Sequence, residues 1–199
     1  MSEPKTLLQM AGAPLEPSRF SESAVVVIDA QNEYANGKLP LPGAAAALAN
    51  IEALLKAARA AGAPVLHIRH KGRPGGLFDP EAEAFQLAPQ AAAAAGETII
   101  DKPLPNAFAQ TALHDALSAT GRKSLILAGF MTHMCVSSTA RAALDLGYRI
   151  TVLSDASATR ALPDPTGGPA LSAEELHRAA LAGLADRFAI VARTGSLQV

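Results

Sequence analysis

The chain has one residue that could act as a strong nucleophile. Cys135 is the only cysteine among 199 residues, and it lies between an apolar run and a stretch of helical pattern. A thiolate is favoured where a helix begins, because free N–H groups and the helix dipole attract negative charge. One interpretation of Cys135 is therefore a nucleophile. The other is a small buried side chain that only fills space.

An acid and a cation follow two other apolar runs. Asp29 ends the run at 23–28, and Lys102 follows the run at 97–100. A carboxylate beside a thiol can take its proton, and a nearby ammonium favours the thiolate. Taken alone, Asp29 is also explained as a helix cap and Lys102 as a solvated surface charge. Together with Cys135 they fit acyl transfer, in which the thiolate attacks an amide-like carbon and the resulting thioester is hydrolysed.

Short β-branched runs alternate with helical patterns and predict the framework that must position these residues. The predicted strands are 23–30, 64–70, 97–100, 123–129, 148–153 and 188–192. The predicted helices lie between 43 and 62, at 107–120, at 135–146, and from an S-x-x-E capping box at Ser172 to about 186. This alternation favours an α/β fold with a parallel sheet and helices on both faces. Ligands bind such sheets at the carboxyl ends of the strands, where Asp29, Lys102 and Cys135 would meet.

Composition limits the classes of function. A formal net charge of −1 gives no electrostatic signal for nucleic acid binding. No apolar run approaches the ~18 residues of a membrane span, and no secretory signal is visible, so we predict a cytoplasmic protein without membrane contact. The length fits one domain over 1–199, with 1–19 as an N-terminal extension.

Three segments together resemble the isochorismatase-like cysteine hydrolase superfamily, which includes nicotinamidases, N-carbamoylsarcosine amidohydrolases and isochorismatases. They are V-V-V-I-D-A-Q-N-E-Y at 25–34, D-K-P-L-P-N-A-F at 101–108 and L-A-G-F-M-T-H-M-C-V at 127–136. The resemblance implies a Rossmann-like three-layer α/β/α fold whose six-stranded parallel sheet has the order 3-2-1-4-5-6. It also implies an Asp29, Lys102 and Cys135 catalytic triad. A cis peptide between Phe130 and Met131 would turn the amides of Met131 and Cys135 towards an oxyanion.

The resemblance implies a cysteine-dependent hydrolase of an amide, ureide or carbamoyl C–N bond in a small molecule, without a cofactor. Isochorismatases that cleave a vinyl ether can lack the cysteine, so its presence favours C–N hydrolysis. Vinyl-ether hydrolysis and a non-catalytic binding or assembly module are the alternatives. Because members of the family often assemble, we expect a homo-oligomer, either a dimer or a tetramer.

Neighbouring polar side chains are candidates for a metal site or a substrate pocket. Nicotinamidases of the family hold a metal through an aspartate and histidines shortly after the first strand, but residues 31–43 contain no histidine. His67 and His70 are three positions apart in a predicted strand, so they lie on opposite faces, and we predict no metal. Arg160 is interpreted as a structural residue. The candidates for the substrate pocket are Gln31, Tyr34, His70 and His133.

Overall fold

Buried strands rich in branched side chains form the central layer of the protein. The computed structural model describes residues 3–198. The strands are β1 (Ser23–Ile28), β2 (Val65–His70), β3 (Thr98–Lys102), β4 (Ser124–Phe130), β5 (Arg149–Ala158) and β6 (Ile190–Ala192). They form one six-stranded sheet in the order β3-β2-β1-β4-β5-β6, and neighbouring strands are parallel. The predicted fold class and the strand order 3-2-1-4-5-6 are confirmed.

Helices cover both faces of the sheet. They are α1 (Leu7–Met10), α2 (Asn32–Ala35), α3 (Ala44–Ala60), α4 (Leu113–Ala119), α5 (Ser137–Asp145) and α6 (Ala173–Arg187). On one face, apolar side chains of α3 pack in the same core as Val25 and Val27 of β1. On the other face, α4, α5 and α6 share a core with Val26 and Ile28. Every residue of β1 is buried, as expected for the inner strand of a three-layer sheet.

Short helical turns complete the secondary structure. Four are 3₁₀ turns, at Phe20–Glu22, Glu83–Phe85, Pro89–Ala91 and Thr194–Ser196, and a π-helical turn, Thr132–Val136, directly precedes α5. The turns Glu83–Phe85 and Pro89–Ala91 lie in the long segment between β2 and β3. Within residues 3–198, no helix is both long and apolar enough to cross a membrane.

Two elements differ most in length from the sequence prediction. The helix predicted at 107–120 is only α4, because the Ala107 N–H donates to Thr139 Oγ1 (3.0 Å) and the Phe108 N–H to Asn106 Oδ1 (2.9 Å). Such side-chain acceptors compete with the helical hydrogen bonds. β5 continues to Ala158 rather than 153, because it resumes pairing with β4 after a shift in register. The capping box at Ser172 begins α6 as predicted.

The carboxyl ends of β1 and β4 lie side by side where the strand order reverses. Ile28 is paired with Gly129, and Gly129 has a φ of 117°. A Cβ at Gly129 would lie 1.9 Å from the Ile28 carbonyl oxygen, so only glycine permits this close approach. The residues that follow both strands therefore enter one small volume.

Candidate active site

The strand ends bring Asp29, Lys102 and Cys135 into contact. Asp29 follows β1, Lys102 is the last residue of β3, and Cys135 lies in the π-helical turn after β4. Lys102 Nζ is 2.8 Å from Asp29 Oδ2 and 3.2 Å from Cys135 Sγ. Asp29 and Lys102 are fully buried, and Cys135 is 4% exposed. Three side chains that are far apart in sequence thus form one buried cluster.

A turn after β1 aims the Asp29 carboxylate at this cluster. Asp29 has a φ of 51°, in the left-handed region that aspartate adopts more readily than most residues. Its N–H donates to the Ile68 carbonyl (2.9 Å), and its own carbonyl accepts from the Gln31 N–H (2.8 Å). The backbone on both sides of the carboxylate is therefore held by hydrogen bonds.

Lys102 makes a third contact, with His70. His70 Nδ1 is 3.1 Å from Lys102 Nζ, so the three N–H donors of the ammonium face Asp29, His70 and Cys135. Asp29, His70 and Cys135 each offer one possible metal-ligand atom, and these three atoms lie within 4.8 Å of one another. Such a spacing is also found around bound metal ions. Here the Lys102 ammonium contacts all three residues and supplies the positive charge. The geometry fits an internal ammonium better than a bound cation.

Burial sets the protonation states of the cluster. Burial, reinforced by the Asp29 charge and opposed by Lys102, raises the pKa of the Cys135 thiol to about 12. Burial also raises the pKa of Asp29, against the opposing effect of Lys102. Burial and then the Lys102 charge lower the pKa of His70 to about 4, so this ring is neutral near pH 7 and its Nδ1 can accept a hydrogen bond from the ammonium. The thiol is therefore neutral in the resting site, and the 2.8 Å contact between Lys102 Nζ and Asp29 Oδ2 has the geometry of an ion pair.

The turn that carries Cys135 is fixed by several hydrogen bonds. The Phe130–Met131 peptide is cis, as the resemblance implies. The Met131 carbonyl accepts from the N–H groups of Met134 (3.0 Å) and Val136 (3.2 Å). Thr132 Oγ1 is 2.9 Å from His177 Nδ1 on α6. A turn held in this way keeps its backbone N–H groups in place, which is what stabilisation of an oxyanion requires.

A cavity of about 220 Å³ opens beside Cys135. Most of its wall is apolar or aromatic, from Tyr34, Leu39, Leu77, Phe78, Pro105, Met131 and Met134. His70, Cys135 and Arg160 complete the lining. The cavity suits a small molecule that is largely apolar next to the reacting group.

The structure brings two of the four predicted pocket residues to the cavity. Tyr34 and His70 line it. Gln31 is not among the lining residues: it is fully buried, and its amide accepts from the His70 N–H (2.8 Å) and donates to the Phe85 carbonyl (2.8 Å). His133 is not among them either, and its ring forms a hydrogen bond with Thr159 Oγ1. A substrate contact of these two residues stays a prediction.

Arg160 lies at the cavity, a place that the sequence interpretation, which treated it as structural, did not give it. It lines the cavity, and among residues 3–198 its guanidinium has no carboxylate partner. Two signals in the sequence point to it: the segment S-D-A-S-A-T-R at 154–160 continues the family resemblance, and Arg160 comes shortly after a strand, at the same edge of the sheet as Asp29. The predicted end of β5 at 153 put Arg160 too far from that edge for the second signal to be used.

Comparison with known proteins agrees with this architecture. The isochorismatase domain matches residues 23–196. A solved isochorismatase from Pseudomonas putida has a TM-score of 0.93 and 44% identity, covering 98% of this chain and 100% of that chain. The secreted isochorismatase effector of Verticillium dahliae is 36% identical over 180 residues, 90% of this chain and 92% of its own. The ureidoacrylate amidohydrolase of Azorhizobium caulinodans is 29% identical over 183 residues, 72% of this chain and 81% of its own.

Three of the sequence predictions stay predictions. They are the single domain over 1–199 with its extension at 1–19, the homo-oligomer and the cytoplasmic location. One of the relatives is itself named as a secreted protein.

Proposed function

The chain belongs to the isochorismatase family of hydrolases, and from this we propose that it cleaves an amide, ureide or carbamoyl C–N bond of a small molecule through a thioester on Cys135. The observation that carries the proposal is the buried contact of Lys102 Nζ with both Asp29 Oδ2 and Cys135 Sγ. An acid, a cation and a thiol in contact beside a cavity are the parts that acyl transfer needs. A relative named as an amidohydrolase supports the same chemistry.

In the first half of the proposed reaction, Cys135 Sγ attacks the carbonyl carbon while the thiol proton passes to Asp29. Apart from the 2.8 Å contact of Oδ2 with Lys102, neither Asp29 oxygen makes a hydrogen bond of good geometry within residues 3–198, so the carboxylate can accept this proton. The N–H groups of Met131 and Cys135 would hold the oxyanion that forms. The C–N bond then breaks, and the proton on Asp29 goes to the leaving nitrogen.

In the second half, water attacks the thioester carbon and gives its proton to Asp29. The C–S bond breaks, a carboxylic or carbamic acid leaves, and the sulfur takes the proton back. Lys102 stays protonated throughout and balances the negative charge that moves between Asp29 and Cys135. We assign His70 a positioning role, because its neutral ring accepts a hydrogen bond from the third ammonium N–H and fixes Nζ between the other two groups.

Turnover of an amide, ureide and carbamoyl panel tests the proposed reaction, with ammonia or amine release as the readout. Release from at least one compound class is the expected result. Release of pyruvate from a vinyl-ether substrate such as isochorismate, without release from any member of the panel, would overturn C–N hydrolysis in favour of the alternative reaction.

The proposed mechanism predicts that the resting enzyme contains no thiolate. Because the pKa of Cys135 is raised to about 12, the thiol stays protonated as the pH rises through the neutral range. Difference absorbance at 240 nm between wild type and Cys135→Ala should therefore show no thiolate step between pH 6 and pH 9. A step with a midpoint below pH 8 would mean that the nucleophile is a preformed thiolate and that Asp29 does not need to act as its base.

Because Arg160 is a charged residue in an otherwise mostly apolar lining, we expect the cavity to prefer a substrate that carries an anionic group at the edge of its apolar part. Iodoacetate and iodoacetamide are both alkylating reagents for cysteine and differ in that only iodoacetate carries a carboxylate, so the rates of both with Cys135 can be compared. Arg160→Gln is expected to lower the iodoacetate-to-iodoacetamide rate ratio about tenfold, because a charged hydrogen bond at a partly buried site is lost. Arg122→Gln is the matched control, since Arg122 lies near the start of β4, at the opposite edge of the sheet. An unchanged ratio in Arg160→Gln would mean that Arg160 does not recognise an anionic group in the cavity.

A further inference from the structure

Two loops supply part of the cavity wall. The loop after α2 contributes Leu39, and the loop after β2 contributes Leu77 and Phe78. We call these three residues the apolar wall. The sequence gives no regular pattern over either loop, so something other than secondary structure must hold the wall in place.

Glu33 is the side chain that joins the two loops. It is 1% exposed, and each carboxylate oxygen accepts a backbone N–H from a different loop. Oε1 accepts from Lys38 at 2.6 Å, and Oε2 accepts from Phe78 at 2.9 Å. Hydrogen bonds to a carboxylate are stronger than those between neutral groups. A Cβ at Gly37 would lie 2.9 Å from Oε1, so the chain closes tightly around this carboxylate.

Phe78 is held in a conformation that a bulky residue rarely adopts. Its φ is 55°, and its backbone is bonded on both sides, through its N–H to Glu33 and through its carbonyl to the Gly72 N–H (2.9 Å). Non-glycine residues persist in this region only where the surroundings impose it, and such positions cluster at functional sites. Asp29, in the proposed catalytic cluster, is another of the three described non-glycine residues with positive φ.

The ring of Phe78 connects the apolar wall to the reacting groups. Its centroid lies 5.1 Å from the ring of Tyr34 and 5.1 Å from that of His70, with edge-to-face geometry in both cases. His70 in turn contacts Lys102. Lys38 adds a second link between the loops, because its Nζ donates to the carbonyls of Gly75 and Gly76 at 3.1 Å each.

We propose that Glu33 is a positioning residue that determines substrate specificity. By holding Phe78 and the loop of Leu39 against each other, it builds an apolar wall that selects amides whose non-reacting part is compact and apolar, above all a flat ring that packs on Phe78. This inference rests on the proposed function, since it concerns the same cavity and the same nucleophile. Glu33 is not among the residues that line the cavity and therefore acts through the wall.

Alkylation of Cys135 by three iodoacetamides tests the proposal without a known substrate. The probes are iodoacetamide, N-phenyliodoacetamide and N-(2-hydroxyethyl)iodoacetamide, and the readout is the second-order rate constant for each, followed by mass spectrometry. In the wild type the phenyl probe should react about tenfold faster than the hydroxyethyl probe, because aromatic packing favours it. Glu33→Gln places an amide N–H against one of the two backbone donors, and the phenyl preference should fall about fivefold or more. The rate with unsubstituted iodoacetamide should stay within about twofold.

Four further variants complete the test. Glu81→Gln, which makes the same change at a neighbouring exposed carboxylate, should keep the wild-type preference. Phe78→Ala should lose the preference, and adding Glu33→Gln to it should have little further effect, because both changes act on one wall. Glu33→Asp, which keeps the charge but shortens the reach, replaces Glu33→Gln if that variant does not fold.

Two outcomes would overturn the specificity role. One is a folded Glu33 variant with the wild-type probe preference. The other is a loss of rate that is equal for all three probes, since that would show a general structural defect. Failure of the proposed hydrolysis would look different: the amide panel would give no turnover in the wild type, while the probe preference and its loss in Glu33→Gln would remain.

Discussion

Replacing Cys135 with serine is expected to lower the turnover of the cleaved amide by at least about 10³-fold. A serine hydroxyl fits the space of the thiol, so the contacts of Lys102 and Asp29 can persist. It is a much weaker acid and a poorer nucleophile, however, and the 3.2 Å contact of the thiol with Lys102 Nζ cannot compensate for this. The measurement is kcat by ammonia or amine release, together with intact-mass detection of an acyl adduct in rapidly quenched wild type.

Two observations separate loss of the nucleophile from a general defect. Ser138→Ala, on the first turn of the helix that follows Cys135, should keep kcat within about twofold, because Ser138 is not among the described lining residues. The acyl adduct should be present in wild type and missing in Cys135→Ser. If Cys135→Ser retained a tenth of the wild-type kcat, covalent catalysis by this thiol would be excluded.

The fold and the meeting of Asp29, Lys102 and Cys135 could be predicted, because both depend on patterns that are local in sequence. A fully buried parallel strand needs a continuous run of branched apolar side chains, and Val25–Ile28 provides one. The topology then places the end of every such strand at one edge of the sheet. Asp29, Lys102 and Cys135 follow or end three of those strands, so their meeting follows from the strand assignments and the connectivity.

The cavity could not be predicted in the same way, because it depends on backbone direction and on loops. Gln31 is two residues from Asp29, yet the left-handed φ of Asp29 turns the chain so that the Gln31 amide bonds to the backbone of His70. Arg160 reaches the cavity because β5 runs five residues beyond its predicted end. Phe78 is positioned by Glu33, which lies 45 residues earlier, and neither residue has a periodic pattern around it.

Replacing Lys102 with methionine is expected to abolish turnover and to destabilise the protein by about 3–5 kcal/mol above neutral pH. Methionine matches the length of the aliphatic part of lysine, so the change removes the charge with little change of packing. Asp29 is then a fully buried carboxylate without its cation, which costs far more than the loss of a surface ion pair. Chemical denaturation at several pH values measures the loss.

The same variant should show a characteristic dependence of stability on pH. Burial raises the pKa of Asp29, and Lys102 is the main group that opposes this, so its removal raises that pKa further. Above pH ~3.8 the unfolded chain has lost the Asp29 proton while the folded variant retains it. The unfolding free energy of Lys102→Met should therefore fall with rising pH, by up to about 1.4 kcal/mol per pH unit, until the pH passes the pKa of folded Asp29. The fall should be steeper, or extend to higher pH, than in the wild type.

The double variant Asp29→Asn/Lys102→Met separates the charge effect from the catalytic effect. It leaves no charge at either position, and asparagine tolerates the left-handed φ of residue 29 about as well as aspartate does. It should regain most of the stability lost in Lys102→Met, because neutral buried groups of similar size replace an ion pair at little cost. It should also lose the pH slope of Lys102→Met but recover no activity. If Lys102→Met instead followed the wild-type pH dependence, the buried Asp29–Lys102 pair could not be the charge balance on which the proposed proton transfers depend.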